Sequence, residues 1–246
     1  MTRDGKIFHL RHFVLLVLLL TLPGLGVAQT VSGVPGYVRV PSATFNEDAT
    51  MYFGSSFLPQ KYLPYTHNTY DALAIYCSVT FLSFVEVDLR VTRILGLPEG
   101  SNHVVDRVPT IRVRILKEHK WFPAVTIGLH DVVTSLDNGV ARHFGASYLV
   151  VTKNFHIPQW NFNIEATAGY GLSSFIWNNN ELMGPFGAVA FRYDKVPWLS
   201  LMFDYDGDTP NAGVRMVFFK HLYIMAGVMN FEAVTGSVSY QFKLKR

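Results

Sequence analysis

The sequence predicts an all-β fold, a single antiparallel up-and-down transmembrane β-barrel of about twelve strands. Three observations predict it. Segment after segment alternates apolar with polar or charged residues at period two, and none sustains a helical period. Many of these segments run to about ten residues, which is the length that crosses a hydrocarbon core when tilted and is longer than globular strands usually are. The connections alternate long and short, as they do where long loops gather at one end of a barrel and tight turns at the other.

Residues 1–28 read as a signal peptide. Arg3, Lys6 and Arg11 precede the apolar run Phe13 to Leu22, and the small residues Gly26 and Ala28 set a cleavage site before Gln29. That run is too short to span a bilayer. Removing the leader takes away three basic residues and Asp4, so the formal net charge falls from +3 to +1. A nearly neutral chain gives no reason to expect nucleic acid as a partner. Cys77 is the only cysteine, which excludes an internal disulfide and a cysteine zinc site. No cysteine follows the leader in the manner of a lipoprotein. Beyond the leader no stretch of about 18 uncharged apolar residues appears, so membrane helices are not expected.

Residues 29–48 form a Gly- and Pro-rich lead-in, expected to be irregular, and residues 49–246 form the barrel. The predicted strands run at 49–57, 68–78, 82–94, 106–116, 121–131, 143–153, 160–171, 183–193, 197–206, 211–218, 221–230 and 234–244. Val85, Val87, Leu89 and Val91 alternate with Glu86, Asp88, Arg90 and Thr92. Trp160, Phe162, Ile164, Ala166, Ala168 and Tyr170 alternate with Asn161, Asn163, Glu165, Thr167 and Gly169. The stretch Leu199 to Phe218 holds a whole hairpin, with Gly207, Asp208, Pro210 and Asn211 at its reversal. Trp121, Trp160, Trp177, Trp198, Tyr148 and Tyr223 lie mostly near strand ends, as interfacial aromatics do.

The polar faces hold Glu86, Asp88, Arg90, Arg112, Arg114, Glu165, Asp204 and Arg215. Inside a narrow barrel these charges are expected to meet and pair, because a lone buried ion is costly. The paired set would either plug the lumen or contact a polar chain such as a polysaccharide.

Other constellations point less far. His130 and Asp131 sit at a strand end, but adjacent strand residues face opposite ways, and Ser135, Ser147 and Ser173 carry no nucleophile motif. Asp204, Asp206 and Asp208 open like a calcium loop, yet Arg215 stands where the closing Glu belongs, so a turn is expected. His67, His103, His143, His156 and His221 show no ligand spacing. Neither a metal nor another cofactor is expected, and catalysis is not.

Several quoted stretches resemble the YjbH family: Gly36 to Ala43 (GYVRVPSA), Phe84 to Thr92 (FVEVDLRVT), Asp106-Arg107, Pro123 to Asp131 (PAVTIGLHD), Phe144 to Lys153, Gly169-Tyr170-Gly171, and Leu201 to Arg215 with its DYDGD and NAGVR. The resemblance spans most of the chain after the leader. It implies a bacterial outer-membrane barrel linked to exopolysaccharide or capsule production. In a Gram-negative outer membrane the even strand count and the alternation of long and short connections would leave both termini periplasmic. The expected role is that of a non-enzymatic accessory in production or export. The partners that follow are outer-membrane lipid, polysaccharide and export-machinery proteins. The rival readings are a lipid- or glycan-modifying enzyme using His130, a structural component of a secretion system, and a secreted soluble β-protein.

Overall fold

A computed structural model describes residues 29–63, 69–98, 100, 104–132, 144–173 and 179–244. The leader expected at 1–28 lies outside the described residues, as do His67, His103, His143, Ser135 and Trp177.

Twelve antiparallel strands close into an up-and-down barrel. They are β1 (Thr50–Leu58), β2 (Ala72–Phe81), β3 (Val85–Ile94), β4 (Val104–Leu116), β5 (Ala124–His130), β6 (Ala146–Ile157), β7 (Phe162–Gly171), β8 (Pro185–Tyr193), β9 (Leu199–Tyr205), β10 (Pro210–Phe218), β11 (Leu222–Met229) and β12 (Ala233–Lys243). Each predicted strand is present with ends moved by a few residues. Pairing of β1 with β12, from Thr50 against Lys243 to Phe57 against Gly236, leaves the sheet no free edge.

Period two decides which side chains go where. On β3, Val87 and Leu89 are exposed on the outside while Glu86, Asp88, Arg90 and Thr92 are buried inside. On β9, Leu201, Phe203 and Tyr205 are exposed, and Ser200, Met202 and Asp204 are buried. The outside is therefore an apolar cylinder, while the inside holds the charged and polar side chains together with a buried apolar cluster.

The connections β1–β2, β3–β4, β5–β6 and β7–β8 are the long ones and share one end of the barrel. The opposite end carries only short turns. In the β2–β3 turn Leu82 and Ser83 both have positive φ, and so do Phe219 and Lys220 in the β10–β11 turn. Two consecutive left-handed residues give the turn twist that a tight hairpin requires. Asp48 Oδ1 accepts the Leu82 N–H at 2.7 Å, which fixes the chain as it enters β1 against this end.

Candidate functional site

The lumen is filled by the chain's own lead-in. Residues 29–46 contain Gly33, Pro35, Gly36 and Pro41, which break any regular strand, and a single charge, Arg39. They fold on themselves through bridges between Gln29 and Pro35 and between Gly36 and Pro41. The hydrogen bonds Thr30 N–H to Val34 O at 2.8 Å and Ser42 N–H to Pro35 O at 2.9 Å hold this knot. Val34, Tyr37, Val38, Val40 and Ala43 are fully buried within the barrel.

The walls are shaped to receive it. A Cβ at Gly213 would stand 2.9 Å from Val38 Cγ2 and one at Gly227 would stand 3.3 Å from the same side chain, so these two glycines form the notch that Val38 fills. Gly33 has φ +95°, and a Cβ there would meet the Tyr76 ring at 2.7 Å.

Polar groups from around the barrel complete the seat. Asp204 Oδ2 accepts three consecutive backbone N–H groups, from Val38 at 2.7 Å, Arg39 at 2.9 Å and Val40 at 3.4 Å, and Asp204 Oδ1 accepts the Asn211 amide at 2.7 Å. Successive backbone N–H groups make a small anion nest, and the carboxylate occupies it. Thr152 accepts the Ala43 N–H at 2.7 Å and continues through Thr167, 2.7 Å away, to the Tyr37 hydroxyl at 2.8 Å. Thr126 donates to Ala43 O at 3.1 Å and Ser56 to Val31 O at 2.6 Å.

All eight lumen charges expected from the sequence face inward, but they form two groups with the lead-in between them. On β3 and β4, Glu86 and Arg112 pair at 2.6 Å with both side chains fully buried. Arg112 also donates to Ser42 O, and the guanidinium groups of Arg112 and Arg114 lie over the Phe45 ring at 4.9 and 5.3 Å. Arg90 lies 4.1 Å from the centroid of the Phe144 ring, two residues along β3 from buried Asp88. On the opposite wall Arg215 stands 3.9 Å from Glu165, and Asp204 holds the nest. Among the described residues no ion pair joins the two groups. The expectation that they meet across the lumen gives way to a lead-in that intervenes and takes up Asp204, Arg112 and Arg114.

Sequence reasoning passed over Arg39 and Glu181 at the long-loop mouth, and weighed Asp206 and His130 there only as a calcium-loop opening and a catalytic candidate. Arg39 reaches Asp206 at 2.5 Å and Glu181 at 3.6 Å, and Glu181 in turn faces His130 Nδ1 at 3.7 Å. Burial alone would push the Glu181 carboxyl up, but the His130 hydrogen bond and the charges of Arg90 and Arg39 hold it below its ordinary range. The available signal was compositional: a stretch rich in Val, Tyr and small residues with one charge is suited to burial, even without a strand period.

His130 is buried on the inner face, with Asp131 next to it at φ 60°. Ala146 lies opposite His130 across the β5–β6 ladder and Ser147 lies opposite Leu129, so Ser147 belongs to the other face. Its hydroxyl donates to Leu172 O at 3.2 Å, while Ser173 accepts the Asn179 N–H at 3.2 Å. Asp206 Oδ1 accepts the N–H groups of Asp208 and Thr209 at 3.0 and 2.7 Å, so the suggested calcium loop is an Asx turn that also anchors Arg39.

A family model described as exopolysaccharide biosynthesis protein YbjH (YjbH) matches residues 28–209, more than half of the chain. The match takes in the lead-in, β1 to β9, and both Asp204 and Asp206. No curated protein matches the chain.

Proposed function

This chain belongs to the YjbH exopolysaccharide biosynthesis family, and from that premise we propose that it is an outer-membrane barrel acting as a non-enzymatic accessory in the production or export of surface polysaccharide. The observation that carries the reading is the occupied lumen. Six of the eight inner charges, Glu86, Arg112, Arg114, Glu165, Asp204 and Arg215, are engaged with residues 29–46 or with one another, so a sugar chain would find few of them free for recognition. A barrel with such an interior is a closed body in its membrane, and its role is exercised through its ends and its outer surface. The apolar cylinder supports a membrane setting, since a belt of exposed Phe, Leu, Val and Ile is stable against lipid and costly in water.

The test has two parts. Outer membranes are purified, extracted in detergent and run boiled and unboiled on a gel, with a mobility difference expected for a folded barrel. Cells lacking the protein are then compared with cells carrying it or its His130→Ala variant, and surface polysaccharide is measured. Loss on deletion with full restoration by both forms is expected. Recovery of the protein without detergent in the soluble fraction would overturn the membrane assignment, and failure of the His130→Ala form to restore would favour the enzymatic reading.

A further inference from the structure

The turns at the short-turn end of the barrel carry side chains that water does not favour. Leu82, Phe84, Trp121, Phe122, Trp160 and Phe219 all lie exposed in these connections, Trp121 at 75 % and Trp160 at 70 %. Trp198, in the β8–β9 turn, stacks on Phe218 at 6.1 Å. Single apolar residues on a surface are ordinary, but every turn of one rim contributing at least one makes a belt.

The same rim gathers the lysines. Six of the seven lysines among the described residues lie there, and the seventh, Lys61, is at the other end, paired with Glu232. Lys153 is tied into the β4–β5 turn by the carbonyls of His119 at 2.6 Å and Lys120 at 3.2 Å, and Lys243 pairs with Glu47 at 2.6 Å. Lys117, Lys120, Lys195 and Lys220 are exposed, and none has a carboxylate partner among the described residues. Lys120 Nζ sits 5.2 Å from the Trp121 ring centroid, so an ammonium and an indole are held at one level.

We infer that this rim is a docking surface for the headgroup layer of an anionic phospholipid leaflet. The aromatic rings occupy the boundary between acyl chains and headgroups, where amphipathic rings partition. The four unpaired ammonium groups extend from apolar stems to lipid phosphates. Aromatic turns alone would suit any bilayer; the unpaired lysines select negative charge. The inference rests on the membrane reading proposed above, and it assigns the short-turn end to the phospholipid side.

Three of the four tryptophans, Trp121, Trp160 and Trp198, lie at this rim, so the Trp177→Phe variant emits from the rim alone. The full chain with that change is refolded into phosphatidylcholine vesicles containing a minor share of phosphatidylglycerol, with one lipid or the other brominated. The ratio of quenching reads the local enrichment of anionic lipid. Enrichment of about fivefold is expected, the effect of a single lysine near an anionic surface, and it should fall to unity when Lys117, Lys120, Lys195 and Lys220 are all changed to Gln. Quenching by the two lipids in proportion to their shares in the parent, or enrichment that survives the four substitutions, overturns the inference. Absence of quenching by brominated phosphatidylcholine shows that the chain never entered the bilayer, which removes the membrane reading and this inference with it. The boiled and unboiled gel comparison confirms that each variant is folded.

Discussion

Asp204 Oδ2 lies 2.7 Å from the backbone nitrogen of Val38, so a carboxylate on the barrel wall holds a segment that precedes it by 166 positions. Its substitution tests how the lead-in is seated. Asp204→Ala leaves three buried N–H groups without an acceptor and is expected to destabilise the folded barrel by more than about 2 kcal/mol. Asp204→Asn keeps an oxygen and should be milder. Urea titration of the unboiled gel band measures both, and a loss for Ala no larger than for Asn would contradict the nest.

The Glu86–Arg112 pair is fully buried, so breaking it from one side strands a charge. Glu86→Ala should cost about 3–5 kcal/mol. The double change Glu86→Ala with Arg112→Met should cost clearly less than the sum of the single changes, as a double-mutant cycle on unfolding free energies will read. Additive losses would mean that the two groups do not act as a pair.

Gly227 is needed for contact rather than for its backbone angle. In Gly227→Ala the new methyl stands 3.0 Å from Ala212 O and 3.3 Å from Val38, with an expected cost of about 1–3 kcal/mol from overpacking. Adding Val38→Ala should recover part of that loss, because the notch and the side chain that fills it change together.

Phe231 offers the opposite sign. With Asn230 at φ 49° and Phe231 at φ 55°, the β11–β12 turn holds two left-handed residues, neither of them glycine. Phe231→Gly makes the Asn-Gly pair that this turn prefers, and a gain of roughly 1 kcal/mol is expected, read as a higher urea midpoint.

Glu181 gives a dependence on pH. Its folded carboxyl is held below the ordinary value of 4.5. Its contribution is therefore present above that value and is lost as the pH falls through the lowered folded value. The stability advantage of the parent over Glu181→Gln should persist from neutrality to about pH 4.5 and disappear only in stronger acid. Unfolding midpoints of the two proteins across this range decide it, and an advantage lost already between pH 7 and 5 would contradict the sign.

Much of the wall was legible in advance because a strand states its faces locally. In FVEVDLRVT each residue's side follows from its neighbours, and Glu86, Asp88 and Arg90 point inward as period two requires. The alternation of long and short connections likewise carried strand count and topology, since antiparallel neighbours are joined by what lies between them in the chain.

The sequence by itself thus determined the barrel, its apolar exterior and the charges of its interior, all of which rest on short-range periodicity and turn chemistry. Only the tertiary structure decided what those charges meet. Residues 29–46 have no period to read, and their partners, Asp204, Thr152, Arg112 and Asp206, lie on strands and a turn far along the chain. Such contacts exist only once closure of β1 on β12 encloses the lead-in, because burial then favours pairing the lead-in's polar groups with those of the wall.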